Sequence, residues 1–348
     1  MSKTRFAILG CGIIAEVHAQ GITKIEEAEL VAVYDINLDE REKFAEKYGA
    51  VPCSNLEQML EMESVDVVSI CTPSGLHAKQ TLQIAKAKKH VLVEKPMAIK
   101  LEDINPMIQA CEENQVLLST VFPRRMSPQA RFARELIQNG KLGKLSLCSA
   151  YVKLYRNQEY YDSAGWRGTW EVDGGGAMMN QGIHTVDMLQ WLVGPVSSLY
   201  GKTKAVLRDI EVEDTAATLM QFENGAMGIL EITTTAYEGK GQRLAIHGEK
   251  GTIEIEEDTI TKLEIEGEEV ELPDFESFNV IPDGHRLQIK DMALAVQENR
   301  TPYVPGKEGR HSLEIILGTY ESSRLLREID LSGKSLKYFD EAVEVKRR

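Results

Sequence analysis

Short apolar runs alternate with amphipathic stretches over the first 122 residues of the chain. The apolar runs lie at residues 6–9, 30–34, 65–71, 90–93 and 116–121. Between them, hydrophobic residues recur with the spacing of a helix that buries one face. Buried strands that alternate with such helices form a parallel sheet covered on both sides. We therefore predict an α/β domain with a doubly wound parallel sheet over residues 1–122.

The pattern changes after residue 122, where Pro123 and Pro128 mark the passage to longer strand-like segments. These segments lie at residues 145–153, 216–222, 226–235, 243–247, 252–255 and 262–265, with helical patterns at 129–139, 285–298 and 308–328. Turn signals such as residues 223–225 predict hairpins. We predict a second, α+β domain over residues 123–348 with a large, mostly antiparallel open sheet. Such a sheet often buries its uncovered face against a second copy, so we expect a homo-oligomer.

A glycine-rich segment follows the first apolar run and begins the first predicted helix. It contains Gly10, Gly12, Ile13, Ile14 and Ala15. The two glycines permit a tight turn and the close approach of a pyrophosphate to the helix N-terminus, while Ala15 lets helix and strand pack. The order of strand, glycine loop and helix predicts a dinucleotide site rather than a simple glycine turn.

Asp35 ends the second predicted strand, where its carboxylate can bind the ribose hydroxyls of a dinucleotide. That carboxylate repels an adenosine 2′-phosphate, and no arginine immediately follows it. Arg41 is the nearest one and falls in the next predicted helix. NAD is therefore favoured over NADP. The alternative for Asp35 is the N-cap of that helix, a position for which Asn37 and Asp39 are better placed.

Lys95 follows the apolar run 90–93 within Glu94-Lys95-Pro96. This places an ammonium at a strand end, where open α/β sheets bind their ligands. A lysine in a dry crevice sheds its proton readily or stabilises a developing alkoxide. The tripeptide alone favours the alternative of a solvated surface lysine, and the rest of the chain favours function.

Residues 165–187 combine two tryptophans with three successive glycines. If residues 178–191 are helical, Asn180, His184, Asp187 and Trp191 share one face by their spacing. His184 can take a hydroxyl proton near neutral pH, and Asp187 can raise its basicity or fix its tautomer. The alternative is that His184 only satisfies polar groups of the core and that Asp187 caps or forms a salt bridge.

The composition argues against several kinds of partner. A formal net charge of −14 disfavours nucleic acid or an anionic membrane as the main partner. The five cysteines are odd in number and widely spaced, which predicts reduced thiols rather than a disulfide framework. None of the seven histidines is two to four residues from another histidine or a cysteine, so no metal site is predicted. With neither a signal-like segment nor a long apolar span, we expect a cytoplasmic protein.

Taken together, the motifs resemble the Gfo/Idh/MocA oxidoreductases. The resemblance covers nearly the whole chain and is carried by the order of four motifs: the glycine loop, Cys71-Thr72-Pro73-Ser74 with His77 beyond it, Glu94-Lys95-Pro96, and residues 173–187. Members pair an N-terminal Rossmann domain with a C-terminal α/β domain whose open sheet mediates dimers or tetramers. Most of them oxidise or reduce sugars, polyols or their derivatives with NAD(P).

The resemblance implies a role for each matching residue of the first domain. Lys95 polarises the substrate hydroxyl or carbonyl, and Glu94 lies near the nicotinamide ribose. The residues that border the dinucleotide are Thr72, Pro73, Ser74 and His77. For Ser74 and His77, ordinary turn and N-cap chemistry is an equal alternative.

In the second domain the resemblance makes His184 the catalytic histidine. Trp166 and Arg167 reach back toward the cofactor or substrate, and Arg167 either serves an anionic substrate group or forms a structural salt bridge. Many members carry an aspartate four residues before the histidine, whereas this chain has Asn180, which binds hydroxyls but cannot act as a base. The form of residues 179–184, with Tyr160 and Tyr161 upstream, is similar to UDP-N-acetylglucosamine and UDP-N-acetylglucosaminuronate 3-dehydrogenases. A free sugar, sugar phosphate or inositol stays open as the substrate.

The sequence thus predicts an NAD-dependent sugar or polyol dehydrogenase. His184 removes the hydroxyl proton, Lys95 stabilises the alkoxide, and hydride passes to the nicotinamide. Two alternatives are an NAD-dependent glycosidase of the same family and a non-catalytic regulator that senses dinucleotides. The presence of both Lys95 and His184 argues against the regulator.

Overall fold

The structure is a computed structural model that describes residues 3–332. Its strands are β1 (Thr4–Leu9), β2 (Ala28–Tyr34), β3 (Val51–Pro52), β4 (Val67–Ile70), β5 (His90–Val93), β6 (Leu118–Thr120), β7 (Leu145–Lys153), β8 (Val196–Lys204), β9 (Thr215–Phe222), β10 (Met227–Thr233), β11 (Gly241–Gly248), β12 (Gly251–Glu256), β13 (Thr259–Ile265) and β14 (Ile329–Asp330). Its α-helices are α1 (Ile13–Thr23), α2 (Leu38–Tyr48), α3 (Leu56–Glu61), α4 (His77–Lys86), α5 (Leu101–Glu113), α6 (Pro128–Gln138), α7 (Gln158–Asp162), α8 (Ile183–Val193), α9 (His285–Glu298) and α10 (Gly309–Leu325).

The described residues form two compact units, each with its own sheet. The first unit contains residues 3–98, 103–126 and 278–310, and the second contains residues 99–102, 127–277 and 311–332. The predicted division after residue 122 differs from this one chiefly over residues 278–310. There α9 packs against α1: a Cβ atom on Gly21 would lie 2.9 Å from Ile289 Cδ1, so the glycine permits close packing. Ile289 belongs to the same buried cluster as Phe6 of β1.

The sheet of the first unit is parallel and has the strand order β3-β2-β1-β4-β5-β6. The predicted doubly wound α/β fold is confirmed. Strands such as β4 are buried along their whole length, which is why they are continuous apolar runs in the sequence. β3 was not predicted because a strand of 2 residues leaves no periodicity. The strand order reverses between β1 and β4, and ligands of open α/β sheets bind at the carboxyl ends of such strands.

The second unit contains an eight-stranded sheet in the order β13-β12-β11-β7-β10-β9-β8-β14. Only β7 and β10 pair in parallel, so the predicted mostly antiparallel sheet is confirmed for the described residues. β8 was missed because one of its buried positions is a glycine. A Cβ atom on Gly201 would lie 2.5 Å from Thr319 Cγ2 of α10, so the position has no apolar side chain to reveal the strand.

The two faces of the second sheet differ in their exposure. Cys148, Val152 and Ile232 are buried on the face that α8 covers at β7 and that α10 covers at Gly201 of β8. Large apolar side chains from the intervening positions are exposed: Leu147, Tyr200, Leu219 and Met227. This alternation is typical of a sheet with helices on one side only. Within residues 3–332, no helix is both long and apolar enough to span a lipid bilayer.

The five cysteines are buried and are not joined in disulfides. Burial raises the pKa of Cys11, Cys111 and Cys148 to about 12. Burial also raises the pKa of Cys53 and Cys71. Because the thiolate is the reactive form, these groups are inert thiols at neutral pH. The chemistry of the chain therefore lies with other side chains.

Candidate active site

The glycine loop after β1 contains two glycines with different requirements. Gly10 has φ +94°, and a Cβ atom there would lie 2.9 Å from the carbonyl carbon of Cys71, so the turn itself requires glycine. Gly12 has φ −80°, and no atom lies within 4 Å of a Cβ built on it. The fold therefore does not need a glycine at position 12. Its missing side chain leaves open the space at the N-terminus of α1, where a pyrophosphate binds in this type of loop.

Asp35 joins the end of β2 to the glycine loop. Its carboxylate accepts hydrogen bonds from the backbone N–H groups of Cys11 and Asn37, each at 2.8 Å. Asn37 caps α2 by accepting from two backbone N–H groups of its first turn, as predicted. Arg41 lies inside α2, also as predicted. The N-cap alternative for Asp35 is thus wrong, and the carboxylate is half-buried beside the loop.

Exposed isoleucines flank Asp35 and the glycine loop. Ile13 is 86% exposed and Ile36 is 89% exposed, whereas Ile14 is half-buried. An aromatic ring of a nucleotide can cover apolar side chains at such an edge. Ile13 and Ile14 were predicted as cofactor contacts. Ile36 was not predicted, although its exposure and its position directly after Asp35 make it a further candidate contact.

The loop after β4 carries the next group of predicted cofactor residues. Pro73 is exposed, Ser74 is half-exposed, and Thr72 Oγ1 donates to Gln80 Oε1 at 2.5 Å. His77 is buried, and its ring nitrogens lie 2.8 Å from the carbonyl oxygens of Thr72 and Pro96. Burial lowers the pKa of His77 in spite of these contacts. The geometry favours a structural role for His77 over the predicted cofactor contact.

Lys95 is half-buried immediately after β5, and its backbone N–H donates to Glu94 Oε2 at 3.1 Å. Glu94 is buried, with Oε1 2.8 Å from His18 Nε2 and 3.6 Å from His285 Nε2. Burial raises the pKa of Glu94, but the hydrogen bonds from the two imidazoles outweigh it and hold the pKa well below its usual range. The carboxylate is thus turned inward, and the ribose contact implied by the resemblance stays a prediction.

Arg167 of the second unit is held against two aromatic rings. Its guanidinium carbon lies 4.5 Å from the ring centre of Tyr160 and 4.7 Å from that of Trp166. One terminal nitrogen donates to the Tyr160 hydroxyl at 2.6 Å. The Nε atom is buried and has no hydrogen-bond partner among residues 3–332. A guanidinium fixed in this way can present donors to a carboxylate or phosphate.

Asp173 forms hydrogen bonds that hold the segment before His184. Its Oδ2 accepts from the backbone N–H of Gly168 at 3.0 Å, and its Oδ1 accepts from Asn180 Nδ2 at 3.1 Å. The amide nitrogen of Asn180 is therefore directed at Asp173, and the amide oxygen is an acceptor that cannot take up a proton as a base.

Residues 178–191 are helical, the condition set above for a shared face, but they do not form one regular α-helix. A π-helical turn covers Ala177–Gly182, and α8 begins at Ile183. Asn180 lies in the turn, whereas His184, Asp187 and Trp191 lie in α8. The predicted spacing of 3 and 4 therefore applies to His184, Asp187 and Trp191 on α8, whereas the first step of 4, from Asn180, crosses out of the π-helical turn. His184 is half-buried and Asp187 is 1% exposed, which favours an orienting role for Asp187 over contact with substrate.

Glu213 explains the irregular turn. Its buried carboxylate accepts from the backbone N–H groups of Gly176 at 2.9 Å and Met178 at 2.8 Å, and from the Tyr320 hydroxyl at 2.9 Å. Its carbonyl oxygen accepts from Ala177 N at 2.9 Å. The first backbone N–H groups of the turn are thus bonded to Glu213, which lies outside the helix. Burial raises the pKa of Glu213 to about 7. Glu213 was not predicted from the sequence, because it lies in the connection between β8 and β9, which contains no motif.

A dinucleotide-type glycine loop where a parallel sheet reverses its order, with a lysine at the end of a neighbouring strand, defines a dinucleotide-dependent oxidoreductase. Residues 4–122 match the family described as "Oxidoreductase family, NAD-binding Rossmann fold", and residues 134–331 match its "C-terminal alpha/beta domain". The chain belongs to the Gfo/Idh/MocA oxidoreductase family. It is an NAD-dependent oxidoreductase of the class that contains the sugar and polyol dehydrogenases.

Relatives with known names span most of the chain. A myo-inositol 2-dehydrogenase of Thermotoga maritima is 27% identical over 333 residues, which cover 93% of this chain and 96% of the relative. The WlbA dehydrogenase of Bordetella pertussis, solved with NADH and UDP-GlcNAcA, is 36% identical with a TM-score of 0.87, over 94% of this chain and 99% of its own. The WlbA dehydrogenase of Chromobacterium violaceum, solved with the same ligands, is 35% identical with a TM-score of 0.89, over 95% and 96%.

Proposed function

We propose that this chain oxidises a secondary hydroxyl in the sugar ring of a nucleotide-linked sugar acid, with NAD as the hydride acceptor. The observation that carries the proposal is the likeness, over 94% of the chain, to the Bordetella pertussis dehydrogenase solved with NADH and UDP-GlcNAcA. The Arg167 guanidinium supports an acidic substrate, because its buried Nε atom lacks a hydrogen-bond partner among the described residues and a carboxylate would provide one.

Two side chains carry the proposed chemistry. His184 accepts the proton of the substrate hydroxyl, a task for which an imidazole is suited near neutral pH. Lys95 donates a hydrogen bond to the developing alkoxide and stabilises its charge. Bound NAD supplies the acceptor for the hydride that leaves the same carbon. In this proposal Asn180 binds a substrate hydroxyl, and Asp187 orients His184.

The residues of the first unit fit a dinucleotide. The open space at Gly12 admits a pyrophosphate, and the carboxylate at the end of β2 can bind ribose hydroxyls. We infer a preference for NAD over NADP, because the half-exposed carboxylate of Asp35 would repel a 2′-phosphate.

The proposal is tested by measuring NADH formation with UDP-GlcNAcA, UDP-N-acetylglucosamine, myo-inositol and glucose 6-phosphate, with NADP in parallel. We expect kcat/KM to be at least about tenfold higher for UDP-GlcNAcA than for the others, since a carboxylate forms a charge-assisted hydrogen bond with the guanidinium that a neutral sugar cannot match. A preference for myo-inositol would contradict the proposed substrate. Release of a glycoside without NADH formation would identify the glycosidase alternative, and NAD binding without any turnover would identify the regulator.

Replacing Gly12 by alanine is expected to weaken NAD binding without affecting the fold. The new methyl group meets no protein atom within 4 Å, but it would occupy the space that the pyrophosphate needs. The Kd for NAD should rise by about tenfold to a hundredfold, as measured by calorimetry, while Tm of the free protein stays within about 2 °C of wild type. Gly10→Ala is the matched variant and should lower Tm clearly, because of its positive φ and its contact with Cys71. If Gly12→Ala and Gly10→Ala lowered Tm equally, position 12 would be a structural glycine, and its role in binding the pyrophosphate would be contradicted.

We also infer that the chain forms a homo-oligomer, a dimer or tetramer, in the cytoplasm. The exposed apolar side chains Leu147, Leu219 and Met227 on the uncovered face of the second sheet support an interface there. The buried free thiols support a reducing compartment. Light scattering of the purified protein measures the oligomeric state, and a monomer would contradict the inference.

A further inference from the structure

His18, Glu94 and His285 form a buried cluster, which we call the His18 cluster. It contacts the backbone of Lys95 through Glu94. The relative exposure of these residues is 0%, 5% and 3%. They come from α1, the loop after β5 and the first residue of α9. Burying three titratable side chains costs free energy of folding unless they form hydrogen bonds or ion pairs with each other or with a neighbour.

The hydrogen bonds of the cluster form a directed chain that ends at Lys95. Ser69 Oγ lies 2.7 Å from His18 Nδ1, and His18 Nε2 lies 2.8 Å from Glu94 Oε1. Glu94 Oε2 accepts from the backbone N–H of Lys95 at 3.1 Å. An ionised carboxylate only accepts, so His18 Nε2 carries the proton and donates it. Burial lowers the pKa of His18, so the ring is neutral with its proton on Nε2; it then accepts at Nδ1, and the Ser69 hydroxyl is the donor there.

This series of hydrogen bonds ends at the backbone of Lys95, the residue to which the proposed chemistry is assigned. The carboxylate is held by His18 on one oxygen and holds the peptide N–H of Lys95 with the other. If the His18 imidazole is lost, Glu94 Oε1 keeps only the longer 3.6 Å contact to His285 Nε2, so the carboxylate is held less firmly and the backbone N–H of Lys95 has a less well-fixed acceptor. A displacement of about 1 Å in a catalytic group can cost about a hundredfold in rate. The precision of the lysine thus depends on a residue 76 positions away from Glu94.

We propose that His18 is a positioning residue for Lys95, acting through the Glu94 carboxylate and without touching substrate or cofactor. The proposal rests on the proposed role of Lys95. The three side chains of the His18 cluster could instead hold a metal ion, since their ligand atoms all lie within 4.8 Å of one another. Zinc bonds of about 2.0–2.1 Å would separate neighbouring ligand atoms by roughly 3.3 Å. The 2.8 Å separation of His18 and Glu94 fits a hydrogen bond better.

The test compares His18→Leu, which removes the donor, with His18→Gln, whose amide can still donate to Glu94. His90→Leu is the control: His90 begins β5, the strand that leads to Lys95, and its ring accepts from Leu117 N at 2.9 Å. We expect His18→Leu to lower kcat by about tenfold to a hundredfold with KM for NAD little changed, and His18→Gln to keep at least about a third of wild-type kcat. His90→Leu should lower Tm but keep kcat within about twofold of wild type.

Three results would overturn the proposal: a kcat of His18→Leu within about twofold of wild type, equal losses in His18→Leu and His18→Gln, or an equal loss in His90→Leu. Stoichiometric zinc in the wild-type protein that is absent from His18→Gln would also overturn it, in favour of a metal site. If His18→Leu does not fold, Ser69→Ala removes the hydroxyl donor alone and should lower kcat by about threefold. An unchanged kcat in folded Ser69→Ala would then contradict the proposal. If Lys95→Met proves fully active, the proposed function fails first, whatever the His18 variants show.

Discussion

Lys95→Met is expected to lower kcat by roughly a thousandfold or more, while the Kd for NAD changes little. The substitution keeps most of the side-chain volume and removes the ammonium that stabilises the alkoxide. About 4 kcal/mol of transition-state stabilisation corresponds to this loss. Steady-state kinetics with the substrate found in the screen give kcat, and calorimetry gives the Kd for NAD.

The matched control for this prediction is Lys89→Met. Lys89 lies just before β5, and its Nζ donates to the carbonyl oxygens of Met62 at 2.9 Å and Val65 at 2.8 Å. Its loss should cost stability and leave kcat close to wild type. If Lys95→Met kept turnover within about tenfold of wild type, the electrostatic role of Lys95 would be contradicted.

Gly176→Ala is expected to lower the free energy of unfolding by about 4 kcal/mol or more, or to prevent folding altogether. A Cβ atom on Gly176 would lie 1.8 Å from the carbonyl oxygen of Glu213 and 2.9 Å from Val212 Cγ2. The clash is with backbone, which cannot move aside locally, so the segment would have to shift away from Glu213. The hydrogen bonds from the backbone N–H groups of Gly176 and Met178 to the Glu213 carboxylate would then be lost. Chemical denaturation followed by circular dichroism measures the effect.

Gly165→Ala is the control within the same segment. No atom lies within 4 Å of its Cβ position, and the residue is exposed. Its free energy of unfolding should stay within about 0.5 kcal/mol of wild type. A Gly176→Ala variant with the stability of Gly165→Ala would mean that the segment can shift away from Glu213.

The elements that depend on local pattern were predicted from the sequence. The apolar runs gave the parallel strands, and α9 was predicted with the bounds observed, His285–Glu298. Its membership of the first unit was not predicted, because that depends on packing against Gly21 of α1, a partner far away in the sequence. The spacing of apolar residues in a helix shows which face is buried, but it does not show which other element packs against that face.

The candidate site shows the same limit at the level of single residues. Asp35 and Lys95 could be predicted as site residues because each follows an apolar run at a strand end. His18 was missed because a histidine inside a helix has no motif, and its partner Glu94 is 76 positions away. The π-helical turn was missed for a related reason: the backbone N–H groups of Gly176 and Met178 bond to Glu213, so a tertiary contact replaces the local pairing that periodicity predicts.

His77 lies between two carbonyl oxygens, those of Thr72 and Pro96, at 2.8 Å each. Burial keeps the pKa of the ring low, and a neutral imidazole has a single N–H. The ring can therefore donate to only one of the two carbonyls at a time. The two carbonyls belong to different loops: that of Thr72 to the loop after β4, beside the glycine turn, and that of Pro96 to the loop after β5, which carries Lys95. Only one of these loops is therefore hydrogen-bonded to the His77 N–H at a time.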